Sequence, residues 1–357
     1  MHSRIQHIVL SLATTALLSG GCVHPDVPAQ DGAEIRFSAG AVQLEDDTRS
    51  VTTLDQRTSF EPADQISVYA WHLQESAKIF DAQTVTCPNP ANGIWSYSQK
   101  KKWRWQDNDY YDFLAVPKTV GGVTVPVSGV TSVPPTTSSS FSLSVPYDAR
   151  TDDYDLLMAG TRRRVTDVDP SAVVELNFQH ILSAVRVLFY RDSGSQKFVI
   201  TSFRFKDLIV AANLIWGWDE SAKKCLLRLD NTEHTHQELF GEDRNSAAPW
   251  LETAKFVDLY NPGFYDLLIP QNLDTDDAPS LVIKLRDDVN NAWNLYEPEP
   301  IPLKDITIKG TDTPITRWEP GHVYTYEVHI LLNGGVLVNV ITTQWEDIDA
   351  YTPGLML

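Results

Sequence analysis

Methionine and cysteine are scarce in this chain, with three of each. Apart from Cys22, only Cys87 and Cys225 remain. Two thiols make no disulfide scaffold, and neither has the neighbouring histidine that thiol catalysis requires. Positive charge is also short. Against 47 acidic residues stand 29 Lys and Arg, for a formal charge of -18, so the average field repels phosphates and no nucleic-acid partner is expected. The longest apolar run, Ile8 to Leu18, falls short of the roughly 20 residues that span a bilayer. Missing too are the G-x-S-x-G elbow, the H-E-x-x-H pair, the P-loop and the glycine-rich dinucleotide fingerprint. The acids nominate no glycosidase pair. Neither an enzyme nor a cofactor is expected.

What is present favours β-structure. Twenty-one prolines and 18 glycines punctuate a chain that is 42% hydrophobic and 10% aromatic, a composition of many turns between short strands. The clearest signal is Val173 to Tyr190. Apolar residues alternate at Val174, Leu176 and Phe178, then at Val185, Val187 and Phe189 after a polar and small interval. Two strands joined by a phase slip are implied, the slip being absorbed by a bulge, a bend or a short turn. A first strand with a bulge is expected over Ile35 to Leu44, slipping at Gly40-Ala41. The last is expected from Val336 to Thr343, with Val336, Val338, Val340 and Thr342 on one face and Leu337 and Ile341 on the other.

Arg4 followed by the Ile8 to Leu18 run marks residues 1–21 as a signal peptide. Ser19-Gly20-Gly21-Cys22 is similar to a bacterial lipobox, which makes Cys22 a lipidation site and residues 22–34 a lipidated tether. A length of 357 residues suits two domains, and the boundary is placed so that they occupy 35–165 and 166–357. The basic runs Lys100 to Lys102 and Arg162 to Arg164 read as solvated turn or linker charges.

The remaining candidate chemistry is thin. His234 and His236 would share a strand face but lack a distant third ligand. Asp274, Asp276 and Asp277 lack the glycine and distal glutamate of a calcium loop. His180, inside an apolar run, reads as a hydrogen-bonded core histidine. No metal site is expected. The aromatic cluster of Trp95, Trp103, Trp105, Tyr110 and Tyr111 is read as β-core, with stacking on sugar rings as the alternative.

Several segments resemble one family. Phe60-Glu61-Pro62-Ala63-Asp64-Gln65-Ile66-Ser67-Val68-Tyr69-Ala70 is similar to F-x-x-G-D-x-I-x-V-x-A, with Ala63 where glycine is usual. Tyr111-Asp112-Phe113-Leu114-Ala115-Val116-Pro117, Asp155-Leu156-Leu157-Met158-Ala159, Leu267-Leu268-Ile269-Pro270-Gln271 and Trp318 to Tyr326 follow in order. Together with the Val174 to Val187 segment they resemble the fimbrillins, the pilus subunits and pilus-like lipoproteins of Bacteroidetes. The resemblance implies two transthyretin-like β-sandwich domains in tandem and a structural or accessory subunit of a cell-surface fimbria. It implies other fimbrial subunits as partners, an outer-membrane anchor through the lipid on Cys22, and a host protein or glycan as adhesion target. It further implies assembly by strand exchange, in which an arginine-specific protease removes the first strand and a strand of another subunit replaces it. Arg49, in the charged segment Glu45 to Ser50, is the processing point on this reading, with Arg57 the nearby alternative. The last strand (Val336, Val338, Val340, Thr342) or the tail from Glu346 to Leu357 is the donor. The rival reading is a monomeric surface lipoprotein that binds glycan.

Overall fold

The computed structural model describes residues 33–40, 60–87, 94–103, 110–120, 122–137, 139–152, 154–164, 173–191, 198–235, 257–258, 265–289, 292–296, 298–331 and 335–344. Cys22, Arg49, Arg57, Trp105 and His236 lie outside them, as does the chain after Gln344. Among the described residues the structure is all β, with a single 3-10 turn at Leu303–Asp305.

The chain opens with β1 (Arg36–Gly40), β2 (Gln65–His72), β3 (Ala77–Thr86), β4 (Tyr110–Val120) and the short β5 (Val123–Thr124) and β6 (Thr131–Val133). Next come β7 (Ser142–Asp148), β8 (Leu157–Arg164), β9 (Val173–His180), β10 (Ser183–Arg191), β11 (Phe198–Lys206), β12 (Leu208–Asp219) and β13 (Lys224–Thr235). The rest are β14 (Val257–Asp258), β15 (Asp266–Leu268), β16 (Ser280–Val289), β17 (Ala292–Tyr296), β18 (Ile301–Pro302), β19 (Thr307–Ile308), β20 (His322–Ile330) and β21 (Val336–Gln344).

Four sheets result. The first has the order β1-β9-β8-β4-β2-β3, with β5 on β4. The second runs β14-β10-β20-β21-β19, with β15 on β10; the third is β11-β16-β17, with β18 on β16; the fourth is β13-β12-β7-β6. One face of the first sheet buries Val68, Phe80, Phe113 and Phe178 beneath Trp95, Tyr97 and Trp103. Its other face packs Trp71, Leu114 and Met158 against Leu143, Val145, Leu214 and Trp216 of the fourth. Sheets two and three enclose a third core around Phe205, Trp318 and Tyr326. Each core follows from alternation, since residues two apart share a face.

The phase slip between Phe178 and Val185 is a change of sheet. β9 alternates buried and open in the first sheet, while β10 starts the second, parallel to β20. Ile181 and Leu182 lie between them, both fully buried in the middle core.

Strand pairing crosses the boundary expected at 165/166. β9 joins β1 and β8 in the first sheet, and β7 pairs with β12 along seven residues. Arg162, Arg163 and Arg164 are strand residues of β8 laid against Asp112, Tyr111 and Tyr110, not linker charges. Two sheets therefore draw strands from both halves of the chain, a non-local pairing that one-dimensional alternation does not encode.

Candidate functional site

Sequence and structure meet at β1. Ile35 and Phe37 are fully buried, and Arg36 and Ser38 alternate with them on the more open side. Phe37 sits edge-on to Phe80, Tyr97 and Phe113 at ring distances of 5.6, 5.6 and 5.9 Å, a geometry that the aromatic quadrupole favours. One edge of β1 runs parallel to β9, in register from Arg36 opposite Val173 to Gly40 opposite Asn177. Its other edge meets the segment 94–103. Trp95 N–H donates to the Phe37 carbonyl at 2.9 Å, Ile35 N–H to the Lys101 carbonyl at 2.9 Å, and Trp103 N–H to the Ala33 carbonyl at 3.0 Å. The Tyr97 hydroxyl donates to the Ile35 carbonyl at 2.8 Å, and Lys100 pairs with Glu34 at 2.5 Å.

The same segment exchanges two hydrogen bonds with β3 through Ser96 and Thr86, at 2.8 and 2.9 Å. Segment 94–103 thus bridges the two outer strands of the first sheet, and β1 fills a slot with a partner on each side. Trp95, Trp103 and Tyr111 are buried in this slot's walls, which matches the core reading of the aromatic cluster; their ring faces are taken up by protein.

The recurring sequence segments hold joints between elements. Trp318, fully buried, donates its indole N–H to the Tyr326 hydroxyl at 2.9 Å. The Tyr324 hydroxyl accepts Glu319 N–H at 2.7 Å. Gly321, with a left-handed φ of 70°, sends its N–H to the Leu182 carbonyl at 2.9 Å. Gln271 accepts Ile209 N–H at 2.8 Å through its side chain, and its own carbonyl accepts Trp318 N–H at 2.9 Å. Every polar atom named here is occupied in holding the fold.

At the C-terminal end, β21 lies antiparallel to β20 from Val336 opposite Ile330 to Gln344 opposite His322. Val338 and Val340 are buried in the third core while Leu337 is half exposed. The expected alternation holds, and the face offered as donor packs in this chain's own core.

Cys87 and Cys225 are free and buried; burial pushes the Cys225 thiol up to about 12 and raises that of Cys87. His180 Nδ1 faces the buried Asp155 carboxylate at 2.7 Å. Asp274 N–H is taken by Asn272, and the Asp274 carboxylate faces Lys304 at 3.8 Å. β13 places His234 opposite Ile209. Among the described residues no cluster of three His, Cys, Asp or Glu could hold a metal, and no helix is long and apolar enough to cross a membrane.

A family model described as fimbrillin-like matches residues 48–345. The chain belongs to the fimbrillin-like family. This class comprises structural subunits of fimbriae and adhesion proteins at the cell surface, not enzymes. Three solved structures are similar to this chain. A Parabacteroides distasonis protein named for cell adhesion is 10% identical, with 88% of this chain and 99% of that chain covered and a TM-score of 0.48. A fimbrial assembly protein of the same organism is 9% identical, with 88% and 97% covered and a TM-score of 0.42. The tip fimbrial protein Mfa3 of Porphyromonas gingivalis, C-terminally truncated, is 10% identical, with 88% and 99% covered and a TM-score of 0.39. No curated protein matches the sequence.

One ionic feature of this chain is not legible in the sequence. Asp112 and Arg162 stand directly opposite each other across the β4–β8 ladder, and the guanidinium donates to both carboxylate oxygens, at 2.5 and 2.8 Å. Burial raises the Asp112 pKa, and the Arg162 hydrogen bonds and charge act against that. Only strand register, which the sequence does not state, brings the two together.

Proposed function

We propose that this chain is a structural or accessory subunit of a surface fimbria that supports adhesion. It is exported, anchored in the outer membrane by a lipid on Cys22, and cut after Arg49, after which β1 leaves and a strand of another subunit takes the vacated slot. The observation that carries this reading is the position of β1 as the first described strand, with a rim on either side and with its Phe37 and the preceding Ile35 buried. Its departure would strip Ile35 and Phe37 from their pockets, at roughly 1.5–3 kcal/mol each. It would also leave the β1-facing edge of β9 and the N–H groups of Trp95 and Trp103 without partners. Such an edge is a template for another extended chain.

The donor comes from the C-terminal end. Val336, Val338, Val340 and Thr342 have the alternation a slot would read, but giving them away requires β21 to abandon its full-length pairing with β20. The tail from Glu346 to Leu357, which lies outside the described residues, is the alternative donor.

The test is the N-terminus of the protein in the envelope and in sheared fimbriae. A polymer whose first residue is Ser50 fits the proposal, and Thr58 would move the cut to Arg57. Fimbriae built from chains that still begin at Cys22 would overturn it. A fatty-acid label lost in Cys22→Ala checks the anchor; equal label in both proteins would refute it.

A further inference from the structure

At one end of the first and fourth sheets, the turn from β2 to β3, the loop from β6 to β7 and the β12–β13 hairpin surround a cleft of about 860 Å³. We infer that this cleft binds a neutral oligosaccharide. Its volume lies in the range of about 300–1,000 Å³ usual for ligand sites. Its floor is built on the Asp112–Arg162 pair: Asp112 is almost fully buried, and only a tenth of the Arg162 side chain reaches solvent. The guanidinium lies 5.2 Å over the ring of Trp218 and also pairs with Glu220 on the hairpin. A desolvated ion pair contributes little net stability, yet it holds one guanidinium and one indole in fixed positions beside open space.

The lining selects the ligand class. Two arginines, Arg162 and Arg228, and two acids, Asp219 and Glu220, line the cleft, and with Asp112 beneath Arg162 no positive charge is left over for an anion. Arg228 is exposed on β13 and has no ion-pair partner among the described residues. Hydroxyls come from Ser76, Thr136, Ser139 and Ser140, those of Thr136 and Ser139 lying 2.7 Å apart. Sugar hydroxyls donate and accept, so they match a wall that offers carboxylates, guanidinia and Ser or Thr hydroxyls together. A sugar's C–H face suits an aromatic such as Trp218. An anion would meet both acids and a chain charge of -18, and a lipid or apolar peptide would find few apolar walls beyond Leu73, Pro135 and Trp218. This cleft is distinct from the buried Trp95 and Trp103 cluster, and it needs no strand exchange to form.

The experiment applies the purified full-length chain to an array of neutral hexose and N-acetylhexosamine oligosaccharides, with sialylated and sulfated sugars beside them. Calorimetric titration then measures the best neutral binder against Arg228→Ala and Trp218→Leu. The expected result is binding to neutral sugars that weakens at least tenfold in each variant. Arg228 is exposed, so its variant carries the test if Trp218→Leu fails to fold. Absence of neutral-sugar binding, binding confined to acidic sugars, or affinity unchanged in Arg228→Ala would overturn the inference.

Discussion

Ala63 holds a φ of 75°, in the left-handed region where a Cβ costs roughly 1–2 kcal/mol and glycine costs nothing. The turn is closed by Ala63 N–H on the Cys87 carbonyl at 2.7 Å and by Glu61 N–H on the Asp64 carboxylate at 2.8 Å. The departure from the usual glycine at this position thus has a physical meaning, and Ala63→Gly should raise stability by about 1 kcal/mol, read as a higher denaturant midpoint at unchanged slope. Cys225 gives a second residue-scale expectation. With its thiol pushed up to about 12, mainly by burial, the protonated form persists through pH 9, and iodoacetamide should label Cys225 only after unfolding. Rapid labelling of Cys225 itself in the native chain at pH 8, located by peptide mapping, would contradict the packing described. That Cys87 and Cys225 are unpaired was legible from their number and their places in different halves of the chain. The role of Arg162 was not, because a run of three arginines looks solvated until register sets one of them against Asp112.

Among the elements, strand positions were legible and strand partners were not. The alternation of Val174, Leu176 and Phe178 located β9, and that of Val336, Val338 and Val340 located β21. That β1 lies parallel to β9, or that β7 pairs with β12, depends on contacts distant in sequence, which periodicity does not contain. β1 should be costly to damage from within: Phe37→Ala removes the ring that touches Phe80, Tyr97 and Phe113 and should cost about 3–5 kcal/mol, measured by chemical denaturation. Truncation after Gly335 removes β21 and with it Val338 and Val340 from the third core, so the shortened chain should lose its cooperative thermal transition. A truncated chain that melts as sharply as the parent would free β21 to act as donor.

At the scale of the whole molecule, three cores and four sheets are tied together by strands that cross between the halves of the chain. β1 takes part through a single strand, since it is the first described strand and reaches the rest of the first sheet through β9 and segment 94–103. Losing it would open one slot and leave in place the core between the first and fourth sheets and the core between the second and third, to which it contributes no residue. The decisive measurement is the mass distribution of the purified chain after digestion with an arginine-specific protease, by size exclusion with light scattering. The account predicts a ladder of integer multiples of one subunit, with the β1 peptide in the low-mass fraction and Arg49→Ala left monomeric. A digest that sheds β1 yet stays monomeric, or an Arg49→Ala protein that polymerises as well as the parent, would contradict it.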